Sequence, residues 1–413
     1  MRIDELREER VDHRFKGLPP DADGRTVGEL AAERRSLFDG GFTTPLLTLS
    51  GPALEHNLAQ LAAYTDKHGL AFAPHGKTSM APQLFARQIA YGAWGITAAT
   101  PHQVRVYRAF GVPRVFLANE LVDAAALRWL ARELAEDPGF RFVCYVDSVQ
   151  GVELMDAALT GVVDVVVELG AAGGRTGVRG PVEAARVADA VTAARHLRLV
   201  GVAGYEAPTP DPRAWLDELV ALAGDFDAAG RFVAAEEIVV SAGGSEWFDG
   251  VAEAFGSLGP LSRPVLKLLR SGAYVTHDDV HYRDVTPFRG RIAAEGSLEP
   301  AFRLWAQVLS RPEPGLALLN AGKRDAPYDL DLPVPQVVRP AAGGSTVPAA
   351  GLTVTRLADQ HAFVSVAPGG VDLAVGDWVG LGVSHPCTAF DKWQLIPVVG
   401  ETGVVTDFVR TFF

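Results

Sequence analysis

Between Leu70 and Leu269 the chain alternates two rhythms. Short apolar runs recur at intervals of roughly 20 to 40 residues, at Leu70–Ala73, Trp94–Ala98, Arg114–Ala118, Phe140–Val146, Val162–Leu169, Leu197–Tyr205, Glu237–Ser241 and Val265–Leu269. Their continuity suits strands covered on both faces. Between them lie helical stretches, including Pro101–Phe110, Ala124–Glu136, Pro181–Ala194, Asp211–Ala228 and Trp247–Phe255. Eight such strand–helix units in one series predict an α/β fold built on a parallel (β/α)8 TIM-type barrel. A doubly wound open sheet is the competing arrangement, and periodicity leaves it open. Polar residues collect just past the strand ends, at Lys77, Asn119, Asp147, Arg175, Glu206, Ser245 and Arg270, where a barrel keeps its active site.

From about Arg291 the helical pattern stops and Pro, Gly and Val become frequent. Leu316–Leu319, Leu352–Thr355, Ala362–Val366, Trp378–Leu381 and Leu395–Val399 read as strands separated by turns. The expected organisation is an N-terminal extension over 1–43, a barrel over 44–290 that begins with a strand at Phe42–Ser50, and a C-terminal β domain over 291–413. The charged extension is expected to pack on a neighbour or cover the site.

Composition narrows the functional classes. The 413 residues are 48% hydrophobic, enough for one large core and a smaller one. A net charge of −12 disfavours nucleic acid and anionic membranes as partners. The first residues are charged, so no leader is read there, and no apolar run reaches membrane-spanning length. Cys144 and Cys387 make no disulfide framework. A cytoplasmic enzyme is expected, although a binding protein fits these bulk properties equally well.

The chemistry centres on Pro74-His-Gly-Lys-Thr78, at the exit of the first barrel strand. A lysine in such a loop is usually only a surface cation. Beside apolar walls, however, desolvation lowers an amine's pKa and frees its lone pair to attack a carbonyl. The stretch resembles the Pro-His-x-Lys-Thr motif of fold-type III pyridoxal phosphate (PLP) enzymes, the group of D-threonine aldolases and D-serine dehydratases. In that family the lysine carries the cofactor as a Schiff base, which assigns Lys77.

Further pieces follow in family order. Gly243, Gly244 and Ser245 lie in Ser241-Ala-Gly-Gly-Ser245, after the seventh strand and before a helix, where backbone N–H groups can meet an anion. The resemblance makes them phosphate ligands. Leu268-Leu-Arg-Ser-Gly-Ala-Tyr274 resembles the family segment after strand eight and adds Gly272 and Tyr274, with Arg270 near the pyridine nitrogen; an ion pair at the barrel rim is the plainer reading of Arg270. Val167-Glu-Leu-Gly-Ala-Ala-Gly-Gly-Arg-Thr-Gly177 resembles the loop after strand five and puts Arg175 near the cofactor's phenolic oxygen. Tyr205 matches a tyrosine that faces the cofactor, and is otherwise a barrel-interior aromatic.

Near the C-terminus, Ser384-His-Pro-Cys-Thr388 puts an imidazole and a thiol two residues apart on what reads as an extended loop, a borderline-soft pair suited to zinc. Taken alone the pattern is weak. The resemblance strengthens it, because D-serine dehydratases carry His-x-Cys at this position and D-threonine aldolases usually carry His-x-Asp. His385 and Cys387 are therefore expected to hold Zn2+ or another divalent metal. The resemblance implies a PLP- and zinc-dependent lyase of β-hydroxy D-amino acids, D-serine dehydratase-like, acting as a homodimer. Retro-aldol cleavage, racemisation and a non-enzymatic PLP-homeostasis role are the alternatives; the last type lacks the β domain. His277, His281 and His361 are loop candidates for proton transfer.

Overall fold

The computed structural model describes residues 1–207 and 209–413. The chain divides into two compact units, each drawn from separate stretches of sequence. The first comprises Met1, Leu61–Lys77 and Arg87–Gly272; the second comprises Arg2–Gln60, Thr78–Ala86 and Ala273–Phe413.

The strands in chain order begin with β1 (Leu46–Ser50), β2 (Ala71–Phe72), β3 (Ile96–Ala98), β4 (Arg114–Glu120), β5 (Arg141–Val146), β6 (Val163–Leu169), β7 (Leu197–Gly204), β8 (Ile238–Ala242) and β9 (Val265–Leu269). In the first unit β2 to β9 form an eight-stranded parallel sheet in the order β2-β9-β8-β7-β6-β5-β4-β3. Its two outer strands meet. His75 bridges Thr97 in parallel, Trp94 N–H reaches the Phe72 carbonyl at 2.6 Å, and Thr97 N–H reaches that of Pro74 at 2.9 Å. The expected barrel is therefore present.

Local chemistry explains where its helices start. Thr100, Asp123, Ser148 and Asp211 stand just past strands, and their side chains accept from the first free N–H groups of Pro101–Ala109, Ala124–Glu136, Val149–Ala158 and Pro212–Ala228. The strand residues Val165, Val167, Val202, Val240 and Leu268 have no exposed surface. Each such burial contributes about 1.5–3 kcal/mol.

The second unit holds a ten-stranded sheet. Its strands after β1 are β10 (Phe302–Glu313), β11 (Leu316–Leu319), β12 (Val334–Arg339), β13 (Val347–Pro348), β14 (Leu352–Leu357), β15 (Ala362–Val366), β16 (Trp378–Gly382), β17 (Leu395–Val399) and β18 (Val405–Arg410). The strand assigned to the start of the barrel belongs here instead: β1 pairs antiparallel with β10 and parallel with β17. An isolated apolar run says nothing about which sheet will accept it, and the complementary edge comes from far downstream. The N-terminal extension packs within the same unit. Val11, Phe15, Leu18, Leu30 and Leu37 join Leu46, Trp305, Leu395 and Phe408 in one core cluster. Its short helix Val27–Ala32 opens with a reciprocal cap between Thr26 and Glu29.

Candidate active site

In the first unit, β2 ends after two residues and the chain turns through a 3-10 segment, Gly76–Thr78, that carries Lys77. Gly76 is required there, since a Cβ would lie 2.6 Å from both Ile96 Cγ2 and the Tyr107 hydroxyl. The neighbouring His75 belongs to the same motif. Its Nδ1 is buried without a partner. Burial, then the Lys77, Arg270 and Arg175 cations, hold its imidazole well below the usual range and therefore neutral.

All three cations act on His75, and the two arginines lie over aromatic rings. The Arg175 guanidinium stands 4.9 Å over the Tyr205 ring. Arg270, 5% exposed, lies 5.3 Å over Phe116 and 5.7 Å over Tyr145. Its Nε donates to Ser241 Oγ at 2.8 Å and a terminal nitrogen donates to the Gly204 carbonyl, so hydroxyl, carbonyl and ring faces hold it rather than a rim ion pair. Gly244 borders the Tyr205 ring, with Tyr205 Cε2 only 2.8 Å from where a Gly244 Cβ would be. The barrel thus brings together Lys77, Arg175, Tyr205, Gly244 and Arg270. Tyr274 falls in the second unit, buried in the 3-10 turn Ala273–Val275.

The glycine loop departs from expectation in one respect. Gly243 N–H donates to Glu206 Oε2 at 3.0 Å and Gly244 N–H to Oε1 at 2.7 Å. The two amides expected to face a phosphate are engaged by a carboxylate with no exposed surface. Burial pushes the Glu206 carboxyl pKa up, while these amides and Arg270 pull it back. Ser271 Oγ fastens the Gly244 carbonyl at 2.8 Å. Glu206 was visible as a polar residue past a strand end, but a loop-fastening role leaves no mark in sequence.

These residues fit PLP through their charge: two arginines and a lysine beside a neutral histidine whose buried nitrogen lacks a partner. With Glu206 on the Gly243 and Gly244 amides, the groups of this loop left to meet an anion are Ser245 and the start of the helix Phe248–Ser257.

The second unit contains the His385–Cys387 pair. The segment is not extended. His385 has φ +50° and Cys387 begins the short helix Cys387–Phe390. The two side chains meet all the same, because the left-handed residue turns the chain back. Contact with Cys387, opposed by burial and aided by Asp329, raises the imidazole pKa to about 9.

Several groups hold this turn. Asp278 Oδ2 accepts the His385 N–H at 2.9 Å, while Oδ1 accepts those of Val280 and Tyr282 at 3.1 and 2.8 Å. Asp329 Oδ2 lies 2.5 Å from His385 Nδ1, and its Oδ1 accepts from Thr388 Oγ1 at 2.9 Å. Thr78 Oγ1 is 3.2 Å from Cys387 Sγ. Imidazole beside thiol, with a carboxylate fixing one ring nitrogen, is a donor set that fits zinc. Asp278 and Asp329 were not singled out in sequence, where neither shows any spacing to the motif. Of the other histidines, His277 is 2% exposed and burial pushes its pKa down to about 4, while His361 is exposed.

Residues 301–399 match the family described as "Putative serine dehydratase domain". The D-threonine aldolase of Arthrobacter sp is 29% identical over 378 residues, spanning 88% of this chain and 90% of that protein. The 3-hydroxy-D-aspartate aldolase of Paracoccus denitrificans (strain Pd 1222) is 26% identical over 325 residues, spanning 76% and 80%. Among solved structures, D-threonine aldolase from Filomicrobium marinum aligns with a TM-score of 0.74 at 25% identity, covering 90% of this chain and 95% of that one.

Proposed function

We propose that the chain is an alanine racemase-like, fold-type III PLP enzyme acting on D-amino acids, a lyase of β-hydroxy D-amino acids working by elimination as D-serine dehydratases do; its likeness to D-threonine aldolases over most of the chain supports this reading. The observation that carries the elimination reading is the contact between His385 and Cys387.

In this reading Lys77 would hold the cofactor, and its amine would take the Cα proton of the substrate. PLP, when bound, supplies the electron sink for the Cα electron pair. Arg175 and Arg270 would balance the charge of the bound ring and Tyr205 would pack against it; Ser245, Gly272 and Tyr274 would hold the phosphate, beside a loop whose Gly243 and Gly244 amides Glu206 already engages. His385 and Cys387 would hold a divalent ion, whose chemistry is Lewis acidity toward the departing hydroxyl. Asp329 fixes the imidazole for that task. The products are a 2-keto acid and ammonia. The functional assembly is a homodimer, which light scattering of the purified protein would test.

A second reading is retro-aldol cleavage to glycine and an aldehyde. One observation favours it: the relatives that match over most of the chain are aldolases. A panel of D-serine, D-threonine and D-3-hydroxyaspartate separates them. Keto acid plus ammonia supports elimination. Glycine plus aldehyde replaces it with the aldolase reading, and neither product from any substrate sinks both.

A further inference from the structure

Three successive barrel strands end in carboxylates that the proposed reaction does not use. Glu120 ends β4, Asp147 follows β5, and Glu168 lies one residue before the end of β6. One oxygen from each falls within 4.8 Å of the others. Acidic groups often gather without a ligand, so the surroundings must decide. Both carboxylate oxygens of Glu120 and Oε2 of Glu168 are buried and receive no hydrogen bond, and Glu168 is only 4% exposed.

An oxygen of a different kind points the same way. The Tyr145 hydroxyl has no partner, on a side chain 2% exposed. It lines a pocket of about 300 Å³ with Glu120, Asp147 and Thr176, and both glutamates act on it electrostatically. A buried polar group left without a partner costs about 1–3 kcal/mol. Without a cation the two glutamates share a proton and Thr176 serves Glu168; a single positive partner would replace that proton and serve the Tyr145 hydroxyl as well.

The nearby arginines do not fill that role. Arg270 spends Nε and a terminal nitrogen on Ser241 and Gly204, and Arg175 is exposed over Tyr205. Burial and the neighbouring Glu168 push the Glu120 carboxyl up to about 9, so without a cation this group retains a proton.

We propose that Glu120, Asp147 and Glu168, with the Tyr145 hydroxyl beside them, bind a hard divalent cation of the Mg2+, Mn2+ or Ca2+ class. The donors are all oxygens, which suits these ions and not the softer metals favoured by His385 and Cys387. The adjoining pocket leaves room for the ion's remaining waters. The ion would tie together the ends of β4, β5 and β6. This inference does not depend on the lyase reading, and its test reads ion binding directly.

The protein with His385→Ala and Cys387→Ala, loaded with PLP and stripped by a chelator, is titrated with Mn2+ while the free ion is followed by electron paramagnetic resonance. The site predicts one Mn2+ retained per chain, displaced by Mg2+ or Ca2+. Glu120→Gln and, independently, Asp147→Asn in that background should each weaken binding by about 10- to 100-fold. Circular dichroism checks that each variant is folded, and the half-buried position of Asp147 makes it the safer of the two. If water alone satisfies these oxygens, no Mn2+ is retained at millimolar ion and the proposal falls. Undiminished binding in both folded carboxylate variants would overturn it as well.

Discussion

Glu206 illustrates what a single side chain can do to a motif. The Gly-Gly sequence permits close backbone approach, but the carboxylate of Glu206 occupies the two amides that make such a loop anion-binding. Glu206→Gln can accept only one of the two N–H groups well, because its amide nitrogen is itself a donor. The variant should lose about 1–3 kcal/mol in urea unfolding and bind PLP more weakly. Unchanged stability would mean that the loop sets its own shape. His277 makes a prediction about pH. Its pKa is about 4 in the fold and near 6.5 when unfolded, so the unfolded chain binds the proton first as pH falls. The stabilisation is fully present above pH 6.5 and is lost as pH drops toward 4, to a total of about 3 kcal/mol. His277→Asn tolerates the left-handed backbone at φ +47° and should flatten this loss between pH 7 and 5. An equally steep loss in the variant would assign the effect to other groups.

At the scale of elements, sequence was most informative where repetition supplied many independent signals. The barrel strands and helices could be read because an apolar run and its following cap recur, and boundaries shifted by only a few residues. Lys77 could be placed because the strand exit is fixed by Pro74 and Gly76. The turn at His385 could not be read correctly, since its reversal depends on a left-handed residue held by Asp278, more than a hundred positions away. The same limit applied to Asp329: a carboxylate is chosen by folding, not by spacing. The glycine loop yields the test proper to this scale. A Cβ on Gly244 meets the Tyr205 ring at 2.8 Å, so Gly244→Val must push that ring aside. PLP affinity should fall by at least about tenfold while the unfolding midpoint moves little, since one loop and not the core is disturbed. Equal affinity in the two proteins, read from visible absorbance during PLP titration, would show that the loop serves only as a turn.

For the whole molecule, two compact units should allow two functions to be lost separately. Cys387→Ala removes the thiol from the second unit and should abolish ammonia release from D-serine, while the visible band of PLP on Lys77 survives in the first. Loss of the band together with activity would show that the pair supports cofactor binding instead. The sequence suggested consecutive domains, because composition changes abruptly near Arg291. It could not show that β1 and the N-terminal extension belong with the later part, since pairing is decided by edges that meet only in the folded chain. That arrangement has a consequence for biosynthesis. The ribosome releases β1 some 250 residues before β10 and nearly 350 before β17, the two strands that flank it. The barrel can close in the meantime, but β1 waits with both edges bare and with Phe15, Leu18 and Leu30 lacking the partners of their core. A growing chain in that state is a natural client for a chaperone. Synthesis halted before Leu395 would leave β1 with one open edge, a template for sticking to its own copies.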